Sequence, residues 1–178
     1  MYTFGHGTLS ADAFATIIGN AGIHRIVDVR SFPGSRRNPQ FGREEMQRWV
    51  PEAAIGYVWM SDLGGRRRPT KDSKHVALRD KSFRAYADYM ESDSFLTGVD
   101  DLLALADDDT TAVMCSESVW WRCHRRLLAD YLVLVRQVEV LHLMHDGRLT
   151  AHPPTEGVRM ADGAVVYDVG VTPPLPTI

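Results

Sequence analysis

The chain has 178 residues, 44% of them hydrophobic and 24% charged, with a formal net charge of −3. That length fits one domain with a sizeable core, and the composition excludes a disordered chain. The slight acidity excludes a general polyanion binder, so any nucleic-acid role needs a local basic face.

No apolar run reaches the length of a membrane span, and the start MYTFGHGT has neither the basic nor the apolar stretch of a signal peptide. No membrane partner and a cytoplasmic location are therefore expected. The only cysteines are Cys115 and Cys123. One short loop would not staple a scaffold of this size, which leaves two reduced thiols as core residues, catalytic groups or metal ligands.

In chain order, Met1 to Gly5 reads as a first strand, followed by the turn His6-Gly7-Thr8. Ser10 is a good N-cap, and Phe14, Ile17 and Ile18 give Ala11 to Asn20 a helical period that Gly22 ends. Ile26 to Arg30 has the apolar run of a buried parallel strand, with Asp28 and Arg30 towards a ligand-facing edge. Ser31 to Gly42 reads as a loop, Arg43 to Val50 as a short helix stopped near Pro51, and Ile55 to Met60 as a third strand. Ser61 to Lys81 is a long polar stretch containing Gly64-Gly65-Arg66-Arg67-Arg68-Pro69, and such loops in compact domains are commonly functional or mobile.

Phe83 to Met90 and Phe95 to Ala106 show helical periodicity, and Thr111 to Met114 is a fourth strand ending at Cys115. Arg122 to Val135 is a helix with Leu127, Leu128, Tyr131, Leu132 and Val135 on one face. Val138 to Met144 is a fifth strand, Asp146-Gly147 a turn, and the tail after His152 carries prolines and few pattern signals. Alternating strands and helices predict an α/β fold, a single layered domain with a mostly parallel sheet flanked by helices (Rossmann-like). Ligands of such sheets bind beyond the carboxyl ends of the strands, where His6, Asp28, Arg30, Cys115 and Glu117 fall.

The segment from Cys115 to Arg125 places one thiol on a sheet edge and a second near a helix start, where thiol pKa values fall and anions gather. Glu117 has the chemistry to hold a proton, His124 to act as base or metal ligand, and Arg125 to bind an anionic group. A cysteine-phosphatase loop needs Arg six residues after Cys, but that position is Trp121. A zinc site from Cys115, Cys123 and His124 departs from the C-x2-4-C spacing of structural sites, and adjacent Cys-His ligands are awkward for one ion. The bland alternative, two small buried hydrophobes, is common for free cysteine.

Ten arginines fall at three places: Arg30, Arg36, Arg37 and Arg43; Arg66, Arg67 and Arg68; Arg122, Arg125 and Arg126. On a shared face they form a phosphate-binding rim; separately they are solvated surface or ion pairs. Trp120-Trp121 suits either base stacking or plugging the core, and plugging is the more common use of tryptophan. His24, His75, His142, His145 and His152 are not singled out by their neighbours.

Taken together and in order, several motifs resemble the domain-of-unknown-function family 488. They are Phe4 to Thr8, Ile26 to Arg30 with Pro33 and Ser35-Arg36, Asn38 to Phe41, Leu63 to Arg66, Phe83 to Met90, Met114 to Arg126 and Val140 to Gly147. The tryptophan-bearing connection looks like one large subgroup, and Ser116 stands where Ala is frequent. The resemblance implies an α/β fold and a shared site of His6, Asp28, Arg30, Arg36, Cys115, Glu117, Cys123, His124 and Arg125, and it supplies no reaction. Residues 1–152 form the family-like domain, and 153–178 a C-terminal extension packed on it or trailing from it.

The leading expectation is an enzyme acting on a nucleotide, nucleic-acid component or other anionic substrate. Arginines such as Arg30, Arg36, Arg66 and Arg125 hold phosphate, and Trp121 or Phe41 stacks a base. Glu117, Asp28 or His124 acts as acid or base, and Cys115 is the nucleophile, with no cofactor. One alternative is a non-catalytic nucleic-acid or protein-binding module; another is a thiol redox protein or one that binds zinc or iron. Oligomeric state is not encoded in any pattern of the chain.

Overall fold

The computed structural model describes residues 1–34 and 36–170. Eight strands and five α-helices follow one another: β1 (Tyr2–Gly5), α1 (Ala11–Asn20), β2 (Arg25–Asp28), α2 (Arg43–Glu52), β3 (Gly56–Trp59), α3 (Lys81–Tyr89), α4 (Asp93–Asp108), β4 (Thr111–Cys115), α5 (Arg125–Leu134), β5 (Leu141–Leu143), β6 (Leu149–Ala151), β7 (Val158–Ala161) and β8 (Ala164–Tyr167). Six strands form one mixed sheet in the order β3-β2-β4-β1-β5-β6, and only the β5–β6 pairing is antiparallel. The result is a layered, Rossmann-like α/β domain. Among the described residues no helix is long and apolar enough to cross a membrane.

Side-chain alternation along the strands builds two hydrophobic layers, one on each face of the sheet. Ile26, Ala112 and Met114 point to the layer containing Phe14 and Ile18 of α1 and Met46 and Val50 of α2. Val27, Val113 and Cys115 point to the other, with Tyr86, Phe95, Val99, Leu102, Leu127 and Leu128 of α3 to α5. Strands covered on both faces have to be apolar throughout, which is why β4 is buried at all five positions.

Several boundaries differ from those the patterns predict. Pro51 lies inside α2; in the last turn it forfeits one hydrogen bond at a point where the helix ends anyway. The predicted helix from Arg122 is broken in two. Trp120–Arg122 is a 3-10 turn, and Cys123 is extended (φ −120°, ψ 150°) before α5 begins. The predicted Val138–Met144 strand shrinks to three residues and pairs with β6 across the Asp146-Gly147 turn. The tail forms a hairpin of β7 and β8 turning at Asp162-Gly163, both with positive φ as a two-residue hairpin turn requires. Val165 and Tyr167 of that hairpin join the core layer beneath α5, so the hairpin packs against it. Residues 171–178 of the predicted extension lie outside the described residues.

Candidate functional site

At the carboxyl ends of β1, β2 and β4 the structure opens into a cleft of about 970 Å³. The parallel register aligns Gly5 with Cys115 and Asp28 with Met114. Beyond β1 the alignment continues as His6 N–H donates to the Cys115 carbonyl (3.0 Å) and Gly7 N–H to that of Ser116 (2.9 Å). Three segments distant in sequence are thereby brought to one edge, and His6, Arg30, Cys115, Glu117, Cys123, His124 and Arg66 all line the cleft. Gly5 is required at this crossing, because a Cβ there would overlap the Glu117 carbonyl oxygen.

One wall is a locked carboxylate–guanidinium–imidazole array. Asp28, fully buried, accepts from Arg30 Nε (2.8 Å), Arg30 NH2 (2.6 Å), the Arg30 backbone N–H (3.1 Å) and the Tyr57 hydroxyl (2.7 Å). With those partners it is a buried counter-ion and does not line the cleft, which corrects its expected role as general acid or base. Arg30 NH1 donates to His6 Nε2 (3.2 Å), while His6 Nδ1–H donates to the Gly7 carbonyl (2.8 Å). Burial, then the Arg30 charge, lowers the His6 pKa to about 4, so the ring is neutral and serves as acceptor for Arg30. Burial opposes the Arg30 charge, but the bonds from Asp28 outweigh it and raise its pKa. The bonds to Asp28, Met46 Sδ and His6 use four of its five N–H groups, leaving one for the cleft.

The floor holds both cysteines, unpaired, and His124. The extended Cys123 and the helical turn at His124 bring Cys123 Sγ and His124 Nδ1 to 3.6 Å, and Cys115 Sγ lies 3.9 Å from the same nitrogen. These three donor atoms are all within 4.8 Å of one another, and among the described residues this is the cluster that could hold a metal ion. The Cys115 thiol is pushed well up, first by its hydrogen bond to Cys123 and then by burial. Burial works against a Cys123 thiolate, but the Cys115 hydrogen bond, His124 and Arg125 outweigh it and hold that thiol well below its usual range. Sequence reasoning put the nucleophile at Cys115; both Cys115 and Cys123 lie on the cleft floor beside His124. Tyr86 packs edge-on against the His124 ring (5.0 Å between centroids), and a Cβ on Gly65 would lie 2.5 Å from His124 Nδ1.

Other expected residues take different places. Arg125 is only 1% exposed and cannot reach a ligand; its Nε donates to Cys123 Sγ (3.4 Å), NH1 to Thr3 Oγ1 (3.4 Å) and NH2 to the Glu117 carbonyl. Phe41 is fully buried and stacks on His6 (4.1 Å between centroids), so it is no platform for a base. Trp120 stacks on His142 (4.1 Å, 6° between planes), whereas Trp121 is 45% exposed and is not among the residues lining the cleft. Arg36 is exposed and not among the described lining residues, and Glu117 is exposed at the rim.

The arginines also separate. Arg30, Arg66 and Arg122 line the cleft. Arg67 is tied to the Ser61, Asp62 and Gly64 carbonyls and lies over the Tyr89 ring, while Arg43 covers Trp59 and Arg126 covers Phe83. The lining also includes Ser31, Ser82 and Phe83, which sequence reasoning did not select. Ser82 follows an Asp80 N-cap that is legible locally, but its place at the cleft depends on how α3 packs.

Fold and site together define an α/β protein with a cleft at the carboxyl edge of a mostly parallel sheet, floored by two thiols and an imidazole. The chain belongs to the family described as domain of unknown function DUF488, whose model matches residues 10–132. That span contains Asp28, Arg30, Arg66, Cys115, Glu117, Cys123 and His124. No curated protein and no solved structure matches the chain.

Proposed function

We propose that this protein is an enzyme acting on an anionic substrate, a nucleotide or another phosphate ester, bound in the cleft at the carboxyl edge of the sheet. The observation that carries the reading is the meeting of two kinds of group in one cavity: Arg30, Arg66 and Arg122 on its walls, and Cys115, Cys123 and His124 on its floor. Guanidinium groups suit phosphate oxygens, and Arg66 and Arg122 are exposed enough to reach them. Arg30, pinned by Asp28, supplies a fixed cationic wall. The Cys/Cys/His cluster is the reactive centre, and Glu117 at the rim is the carboxylate available to carry a proton.

A non-catalytic nucleic-acid module fits less well. Arg43, Arg67 and Arg126 are engaged with rings and carbonyls, and the net charge is −3, which does not favour a general polyanion-binding face. The test is turnover. The purified protein is incubated with a panel of nucleotides and phosphate esters, and products are separated chromatographically. Turnover of at least one compound, abolished in Cys123→Ser and His124→Ala with the fold retained, is expected. Turnover unaffected by both substitutions, or none with any anion of the panel, would sink the reading.

A further inference from the structure

We propose that Cys115, Cys123 and His124 bind a zinc-class transition-metal ion, with a coordination position left open to the cleft. The inference refines the function proposed above by naming the cofactor of its reactive centre. With Zn–S near 2.3 Å and Zn–N near 2.0–2.1 Å, the S···N edge of a tetrahedral site is about 3.6 Å. His124 Nδ1 lies 3.6 Å from Cys123 Sγ and 3.9 Å from Cys115 Sγ, and the three donors all fall within 4.8 Å of one another. Two thiolates and an imidazole are the ligand class that selects zinc over magnesium or calcium.

Spacing in the chain argued against such a site because structural zinc ligands come in close pairs. An open site does not need that spacing. Here one ligand comes from the end of β4, and two come from the segment entering α5, where the change from extended Cys123 to helical His124 aims both side chains at one point. Three protein ligands with a fourth position facing a cavity is the arrangement of catalytic rather than structural zinc.

Two further features suit an ion. Arg125 Nε donates to Cys123 Sγ (3.4 Å), an outer contact of the type that holds a metal-bound thiolate in place. Gly65 keeps the space beside His124 Nδ1 clear, since a Cβ there would come to 2.5 Å from that nitrogen. A zinc ion in this position supplies a Lewis acid and an ionised water at neutral pH, facing the arginines that would hold an anion.

The test uses the full chain purified without a histidine tag from zinc-supplemented medium, with metal content read by mass spectrometry and ligand type by the thiolate charge-transfer band of the cobalt form. About one zinc per chain is expected in the wild type and less than about a tenth of that in Cys115→Ser, Cys123→Ser and His124→Ala. The exposed-site control His24→Ala should keep its zinc. Gly65→Ala, which keeps all three ligand residues but crowds the His124 ring, should weaken zinc binding at least tenfold in a chelator competition. Circular dichroism identifies any variant that fails to fold, and His124→Ala, at a partly exposed position, then decides. A folded wild type without zinc, or zinc retained in the folded His124→Ala chain, overturns the proposal. Because metal content is read without substrate, a zinc-loaded chain that turns over no phosphate ester would sink the proposed function and leave the metal site standing.

Discussion

Among the polar clusters that contain histidine, the buried network under Trp120 and the cleft floor behave in opposite ways. Beneath Trp120, the Thr3 hydroxyl pairs with His142 Nδ1 (2.6 Å), His142 Nε2 with His152 Nδ1 (2.9 Å) and His152 Nε2 with Asp130 (2.9 Å). Asp130 also accepts from Tyr167 Oη (2.9 Å) and the Thr155 backbone N–H (2.8 Å). All of these groups are buried and each ring nitrogen has a partner. In the cleft, the floor residues face a cavity, and His124 Nε2 is buried without a hydrogen-bond partner among the described residues. The closed network spends its polarity on holding β1, α5, β5 and the C-terminal hairpin together, while the open one keeps donor atoms aimed at a space. Arg125 joins them, touching Thr3 on one side and Cys123 on the other. A histidine's function here is decided by whether its partners are all internal.

The strongest way to break this contrast is Asp130→Ala. It strands His152, Tyr167 and the Thr155 N–H, and should cost about 3–5 kcal/mol in urea unfolding. A loss below about 1 kcal/mol would mean that the network holds little. Thr3→Val, which cuts the link between Arg125 and His142, should cost about 1–2 kcal/mol in the same measurement.

The pH dependence sharpens the comparison. Burial, then His152 and Arg125, lowers the His142 pKa to about 3. The unfolded chain protonates this histidine near 6.5 and the folded one does not, so stability is full above that value and falls as the pH drops towards 3. The slope from this residue is roughly 1.4 kcal/mol per pH unit between those limits. Unfolding curves at a series of pH values should show a shallower slope in His142→Asn. An equal slope in both proteins would mean that His142 protonates while folded. At the small end, Arg66→Ala and Arg122→Ala should each change stability by less than about 0.5 kcal/mol, because both side chains are exposed.

Much of the fold is legible locally. Ser10 and the Phe14-Ile17-Ile18 spacing mark α1, and the apolar runs at Ile26 and Thr111 mark buried strands. β6 and β7 are short and largely exposed, with little periodicity to read, and β8 is only four residues long, although Asp162-Gly163 is a hairpin signal that was there to be used. In the site, Cys115, Glu117, Cys123 and His124 stand out because they cluster in sequence. The roles of Asp28, Phe41 and Arg125 do not, because burial beside Tyr57, His6 or Thr3 is set by segments far along the chain. His142 and His152 pass unnoticed for the same reason, since Thr3 is 139 residues from His142 and Asp130 is 22 from His152.

The central claim is that the cleft, and not the buried network, receives an anion. The most direct test is calorimetric titration of a mononucleotide at low salt into the wild type and the Arg66→Ala/Arg122→Ala double variant. Saturable binding in the wild type, weakened at least about tenfold in the double variant with unchanged stability, is the predicted result. Equal affinity in both proteins, or no binding to the wild type, would contradict it.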